Sequence, residues 1–553
     1  IGKYIKVGYT SNNIYSINNG NSLGLYNVLA ASPLVSPKDA DGNARRTVTM
    51  NSADEYWTYT RESLEALGED FEDKKQSFGT FNSLYAELSI PHVQGLKYRV
   101  NTGLNLKYVQ DGYYRGVGVM NDKDPNSLAI GSLGKSLNLN WAVENLLTYD
   151  RTFGAHTINA VGLLSFERSQ YHRNYVEGTG IASKKFLYYN LNLLDEANEA
   201  STVTVDPNRQ NYNESGLKSA MARLMYSYDD RYMLTVAVRN DKSSRLAKSN
   251  NSHTYPAVSV GWNIGRESFM EDFSWLNSLK LRVGYGQTSN QAVAPYQTLG
   301  ALASRPYNFG DDVYSTGYYV SQLANNDLGW EYSETMNYGV DFAFLDRISG
   351  SFEYYVQKTN DVLLSVSLPP TSGVNSYMAN IGKTQNKGWE FNINANILND
   401  YNGFTWDVGL NMYSNKNKLV ELASGAERDE YNFWFVGYSI NSVFDYEKIG
   451  IWQEDEFNYQ PEGYDKPMGK ILEGDGGQAG MIKVKYTGEY DENGMPTREI
   501  NGEDRQIMEI DPKLIGGFNT RLEYKGFDLT VIGAFQAGGK LISNLHTGNS
   551  YLN

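Results

Sequence analysis

The chain has 553 residues, a net charge of −15 from 49 basic and 64 acidic side chains, and no cysteine. The acidic balance argues against a nucleic-acid backbone as partner, because such proteins need basic stripes. No run approaches the roughly eighteen apolar residues of a spanning helix, which excludes helical membrane insertion. The composition is aromatic-rich (Tyr 43, Phe 21, Trp 9) and high in glycine (Gly 53), unlike that of several ordinary domains. A cysteine-free chain of this length fits passage through an oxidising periplasm.

Ile1 to Val7 reads as strand and not as a basic leader before an apolar core, and the numbering reads as starting inside a larger protein. Leu84, Ala86, Leu88 and Ile90 line one strand face. After the turn from Pro91 to Gly95, Leu96, Tyr98, Val100, Leu104 and Leu106 line the next, opposite Lys97, Arg99, Asn101, Asn105 and Lys107. Leu137 to Tyr149 and Ile158 to Phe166 form a second hairpin about Asp150 to Ala155.

The hairpin from Ser219 to Asn263 is the clearest. Ala220, Ala222, Leu224 and Tyr226 alternate with Met221, Arg223, Met225 and Ser227. Past Asp229-Asp230-Arg231, Tyr232, Leu234, Val236 and Val238 alternate with Met233, Thr235, Ala237 and Arg239. Period two makes these strands. Pro256 to Trp262, Leu279 to Tyr285, Met336 to Phe344, Phe352 to Val356, Trp389 to Ile397, Phe404 to Met412, Phe518 to Tyr524 and Phe527 to Phe535 continue the pattern. The total is about fourteen strands of roughly ten residues, the length that crosses a bilayer at a tilt.

Connection lengths decide what the apolar faces are for. Short turns (Pro91 to Gly95, Asp150 to Ala155, Asp229 to Arg231, Leu345 to Arg347, Leu398 to Gly403, Lys525 to Gly526) alternate with expected long loops (Tyr108 to Ser136, Glu167 to Leu217, Asn240 to Thr254, Gln287 to Ser333, Lys358 to Asn386, Tyr413 to Gly516). Ile264 to Ser278 is longer than its class. A membrane barrel gathers its long loops at one end in this way, whereas a soluble sandwich has no reason to. The fold class expected is all-β, an antiparallel transmembrane β-barrel, with Asn392, Asn394 and Asn396 in its lumen.

Catalytic signals resolve into bland ones. Ala129 to Ser136 resembles a degenerate phosphate loop but is followed by strand, not helix. Gly20-Asn21-Ser22-Leu23-Gly24 has nucleophile-elbow spacing but asparagine-rich flanks. His92, His156, His172, His253 and His546 have no metal spacing. Glu69-Asp70 with Glu72-Asp73 reads as a solvated loop, and Asp491-Glu492-Asn493-Gly494 as a turn. No catalysis, cofactor or metal is expected. Aromatic residues in the long loops are the candidate ligand contacts: Tyr307, Phe309, Tyr314, Tyr318 and Tyr319, with Tyr431, Phe433, Trp434 and Phe435. Exposed rings stack on sugars or bury peptide side chains; the competing reading is loops packing on one another.

Tyr228 to Trp262, Leu279 to Asn290 (LKLRVGYGQTSN), Leu328 to Phe342 (LGWEYSETMNYGVDF), Ser372 to Ala395, Gly437 to Gln453 and Glu523 to Ile542 (EYKGFDLTVIGAFQAGGKLI) together resemble the SusC-like (RagA-like) TonB-dependent transporters of the Bacteroidetes outer membrane. The chain departs from them at Lys242, where the family has glycine, and in a weaker loop from Tyr490 to Arg505. The resemblance implies an internal piece, residues 1–553, of a plugged barrel of about 22 strands, with plug, TonB box and outermost strands having no counterpart here. It further implies active uptake of an oligosaccharide or peptide, a SusD-like lipoprotein lid, and TonB acting on the plug. A passive porin or adhesin barrel and a soluble glycan-binding protein are the alternatives.

Arginine at Val236 or Ile393 is expected to destabilise a lipid-facing strand by about 2–4 kcal/mol near the midplane. Loss of heat-resistant migration on a gel would register it; unchanged assembly would count against a lipid face.

Overall fold

The computed structural model describes all residues except 1, 3, 21–35, 37, 44–47, 50–56, 59–66, 120–125, 311–313, 375, 423–424 and 541–553. Fifteen strands form one antiparallel path: β1 (Ile5–Asn19), β2 (Phe71–Ser89), β3 (Leu96–Arg115), β4 (Ile130–Phe153), β5 (His156–Thr179), β6 (Asn211–Tyr228), β7 (Tyr232–Ser243), β8 (Ser252–Asn263), β9 (Leu276–Asn290), β10 (Glu331–Phe344), β11 (Ile348–Ser367), β12 (Ser376–Tyr401), β13 (Phe404–Glu421), β14 (Leu514–Tyr524) and β15 (Phe527–Ala537). Each pairs with its neighbour in this order, and the short strand Thr202–Thr204 adds to β5.

The sheet is a single layer. On β7, Tyr232, Leu234, Val236 and Val238 are exposed while Met233, Thr235, Ala237 and Arg239 between them are half-covered. Among the described residues no second sheet packs on the apolar side. The four clusters of buried apolar side chains lie elsewhere, around Tyr114 and Tyr188, Leu246 and Leu328, Trp452 and Phe457, and Leu67 and Val119. All four sit at or beyond the strand ends that carry the long connections. A soluble protein would bury the apolar strand faces first, since each large side chain covered is worth about 1.5–3 kcal/mol; hydrocarbon supplies that cover here.

The opposite end is tight. Asp229-Asp230 and Leu345-Asp346 hold positive φ of 52, 51, 54 and 54°, and Lys525-Gly526 holds 46 and 87°, the two-residue geometry whose twist matches the strands. Rings gather at this end, with Tyr228, Tyr232, Trp262, Phe273 and Trp275 exposed and Trp275 against Phe344 at 5.8 Å. Such a girdle marks a membrane interface. Glu267 ties it together, accepting from Tyr232 Oη at 2.6 Å and Trp262 Nε1 at 2.9 Å. Ala129 to Ser136 runs into β4 as extended chain, so no phosphate loop forms; Asn21 to Gly24 and His546 lie outside the described residues.

Two expectations need correction. Ile5–Asn19 joins the sheet, paired with β2, and raises the strand count. The strands also run well past the expected loop boundaries. β4 and β5 have 24 residues each and β12 has 26, against the ~10 that cross a bilayer. Glu167 to Thr179, Asn211 to Leu217, Lys358 to Ser367 and Ser376 to Asn386 are strand, not loop. Only residues 244–251 and 368–375 connect β7 to β8 and β11 to β12, so length alternation is less strict than expected: residues 264–275, at the other end, are longer. The physical reason is that above the membrane neither face meets hydrocarbon, so alternation fades while pairing continues.

Leu345 has no stereochemical reason to prefer its left-handed conformation. Leu345→Asn is expected to stabilise the barrel by roughly 0.5–1 kcal/mol, seen as a higher urea midpoint for unfolding from detergent.

Candidate functional site

The inward rows are polar and cross-linked. Arg282 on β9 donates to both oxygens of Asp341 on β10 at 2.8 Å and to Glu353 on β11 at 2.8 Å. Reaching β11 requires passing over β10, and Gly339 makes the room: a Cβ there would stand 2.9 Å from the guanidinium carbon. Arg239 clasps Asp241 at 2.9 Å and donates to Ser219 at 3.0 Å, and Tyr255 adds a further bond to Asp241. Arg99, Asn101 and Glu144 form a chain across β3 and β4, with bonds of 2.7 and 3.0 Å. Asn392 and Asn394 bond each other at 2.9 Å, and Asn396 reaches Asp407 at 2.8 Å. These pairs suit a water-filled interior, where charge is solvated and pins register across strands.

At the long-loop end, Ala301–Asn308 and Tyr314–Gln322 form a hairpin. Tyr318 opposes Ser304 on one face, with Leu302 and Val320; Tyr319 opposes Ala303 on the other, which Tyr307 shares. Tyr307, Phe309, Tyr318 and Tyr319 are all exposed, and Tyr307 meets Phe309 edge-on at 4.8 Å. The side chain of Tyr314 lies outside the described residues. The second aromatic group divides. Tyr431 is 89% exposed above an Asp429 turn that accepts from Tyr431 N and Asn432 N, both at 3.1 Å. Phe433 is exposed and Trp434 half-buried, while Phe435 is 3% exposed and packs on Phe444 at 5.2 Å. Phe435 thus anchors its loop, and the rings before it face outward. No ring contact joins the two groups among the described residues.

Sequence reasoning missed the folded unit within residues 422–513. Trp452, Phe457, Leu472 and Tyr486 form its apolar centre. Asp504 is its polar hub, fully buried, accepting from Thr487 N at 2.7 Å, Thr487 Oγ1 at 2.8 Å, Asn501 N at 2.9 Å and Arg498 Nη1 at 2.6 Å. The signal was present as Asn501-x-x-Asp504, a capping-box spacing that closes one short turn. Burial pushes the Asp504 carboxyl up, but these donors outweigh it and hold its pKa well below the ordinary 3.8. The Asp491 turn reads as expected, its carboxylate accepting from Asn493 N and Met495 N at 2.9 Å.

The histidines do not converge. His156 meets Tyr226 at 2.8 Å, His172 lies against Tyr212, and His253 stacks between Tyr255 and Tyr332. No metal-binding group of His, Asp and Glu occurs among the described residues.

An apolar outer face, a charged inner face, tight turns at one end and folded loops at the other define an outer-membrane β-barrel. Residues 8–491 match the family model for the TonB dependent receptor-like β-barrel, and the chain belongs to that family, placing it in the outer membrane of a Gram-negative bacterium. TonB-dependent receptor P3 of Formosa agariphila is 30% identical over 91% of this chain and 48% of its own length. TonB-dependent receptor SusC of Bacteroides thetaiotaomicron is 30% identical over 69% of this chain and 36% of its own. The chain thus spans about half or less of these relatives. The RagAB peptide importer in its closed-closed state superposes with a TM-score of 0.78 at 21% identity, over 98% of this chain and 57% of that one; the likeness is one of fold.

Asp504→Ala is expected to cost the loop unit about 3 kcal/mol by stranding Arg498 and the amides around it, read as faster proteolysis within residues 446–504. Because the folded pKa is depressed, this stabilisation is complete above the ordinary 3.8 and fades as pH falls below it. Protease resistance should hold from pH 8 to about 5 and fail only in stronger acid.

Proposed function

We propose that residues 1–553 are the barrel portion of an active SusC-like importer that takes up an oligosaccharide or peptide, with TonB acting through a plug outside this stretch and a SusD-like lipoprotein closing over the loops. The exposed aromatic hairpin at the long-loop end carries this reading. Four large rings stand in water where no lipid or core claims them, above an interior lined by charge. Rings on both faces of one ribbon can hold an extended ligand while the loops around it move. The likeness of the family to SusC and of the fold to a peptide importer supports this, and leaves sugar and peptide as the two substrate classes. The work done is transport, with Tyr307, Phe309, Tyr318, Tyr319, Tyr431, Phe433 and Trp434 as ligand contacts and Phe435 as their support.

Replacing Tyr318 and Tyr319 by alanine is expected to weaken ligand binding about tenfold or more, and ligand-dependent quenching of tryptophan fluorescence should disappear in Trp434→Ala. A surface lipoprotein should co-purify from outer membranes. Unchanged affinity in the hairpin variant, with no lipoprotein recovered, would sink the proposal.

A further inference from the structure

One arrangement on the outward face is not explained by lipid tails. Lys218 on β6 and Lys242 on β7 are register partners, so both stand on one face, the one that carries Ala220, Ala222 and Val238. Like charges directly opposite each other repel. Both lysines are exposed. Glu214, the carboxylate on this part of the outward face of β5 to β8, is already engaged: it accepts from Arg168 at 2.7 Å, Gln170 at 3.1 Å and Tyr212 at 3.1 Å. Among the described residues the lysine pair is left without a counter-charge on its own face.

Its height is also informative. Tyr232 marks the girdle at the short-turn end, and Lys242 lies ten residues further along the same strand. At about 3.3 Å per residue and a tilt near 40°, that is roughly 25 Å, the height of the apolar band of an outer-membrane barrel. The lysines therefore stand at the headgroup level of the outer leaflet. Gly216, paired with Arg168, has no side chain to fill the surface there. It opens a groove of about 540 Å³ whose lining includes Trp141, Phe166, Arg168, Lys218, Lys242 and Tyr296, with Glu167 and the engaged Glu214 as its two carboxylates. Directly below, small residues repeat on the same face. Gly162, Ala220 and Ala222, walled by Leu147, Leu164 and Val238, leave a second and almost wholly apolar trough of about 530 Å³.

We infer that these two hollows are one binding site for a phosphorylated lipid of the outer leaflet. The phosphate sits between the Lys218 and Lys242 ammonium groups, the headgroup lies over Gly216 against Trp141 and Tyr296, and an acyl chain fills the trough beneath. The phosphate relieves the repulsion that the lysine pair imposes on the ladder, and the chain covers backbone that small side chains leave open. The site faces away from the lumen, so it is separate from the ligand path and does not depend on the transport reading.

The test uses the complete protein purified from outer membranes in mild detergent, with lipid A as the probe and retained lipid counted by native mass spectrometry. Each basic residue near an anionic surface contributes enough that the Lys218→Gln, Lys242→Gln double variant should retain lipid A about tenfold less or weaker still. Lys248→Gln, an exposed lysine beyond the groove, should retain it fully. Ala222→Trp, which fills the trough and keeps both charges, should also lose retention. Enzymatically dephosphorylated lipid A should be held weakly by every form, and inorganic phosphate should not displace the bound lipid. Heat-resistant gel migration confirms that each variant is assembled. Equal retention by the assembled double variant, or displacement by inorganic phosphate, overturns the site.

Discussion

The structure depends on one constraint: a strand in hydrocarbon must have every backbone N–H and C=O paired, because no water is there to take an unpaired one. Pairing each strand with its chain neighbours meets that demand through the middle of the sheet, and the side chains then sort themselves. The face toward lipid needs only apolar bulk, so Val236, Val238 and Leu234 stand exposed without penalty. The face toward the lumen must keep charges solvated and mutually satisfied, which is why Arg282 reaches across Gly339 and Arg239 turns back on Asp241. One rule of backbone chemistry thus accounts for both the greasy exterior and the ion-paired interior.

Above the membrane the rule relaxes, and the chain behaves like an ordinary soluble protein. Strands continue because pairing is still favourable, but the buried clusters now form as they would in water, around Tyr188, Leu328 and Trp452. The unit centred on Trp452 and Asp504 has both an apolar centre and a polar hub. Tier by tier, the molecule changes solvent, and its packing follows.

Sequence reading recovered most of the wall because hydrocarbon imposes strict alternation, visible in Ala220 to Tyr226 and Tyr232 to Val238. It lost the upper halves of β5, β6, β11 and β12, where water on both faces leaves no pattern to read. β1 was legible as strand at Ile5 to Val7 but not as a member of the sheet, since its partner lies beyond a long connection. The aromatic candidates were legible as rings in loops; that Phe435 turns inward depends on Phe444, a contact no local pattern announces. Lys218 and Lys242 illustrate the same limit, for their opposition exists only once register is known.

The uninterrupted meander has a consequence for biogenesis. Each strand of the path pairs with its neighbours in chain order, so a newly inserted hairpin finds its partner already in place beside it. The long connections over 20–70 and 422–513 add little cost, because closure entropy grows only slowly with loop length. A backbone nick in any upper connection would leave the ladders of this path intact, so two fragments made apart could still recognise each other edge to edge.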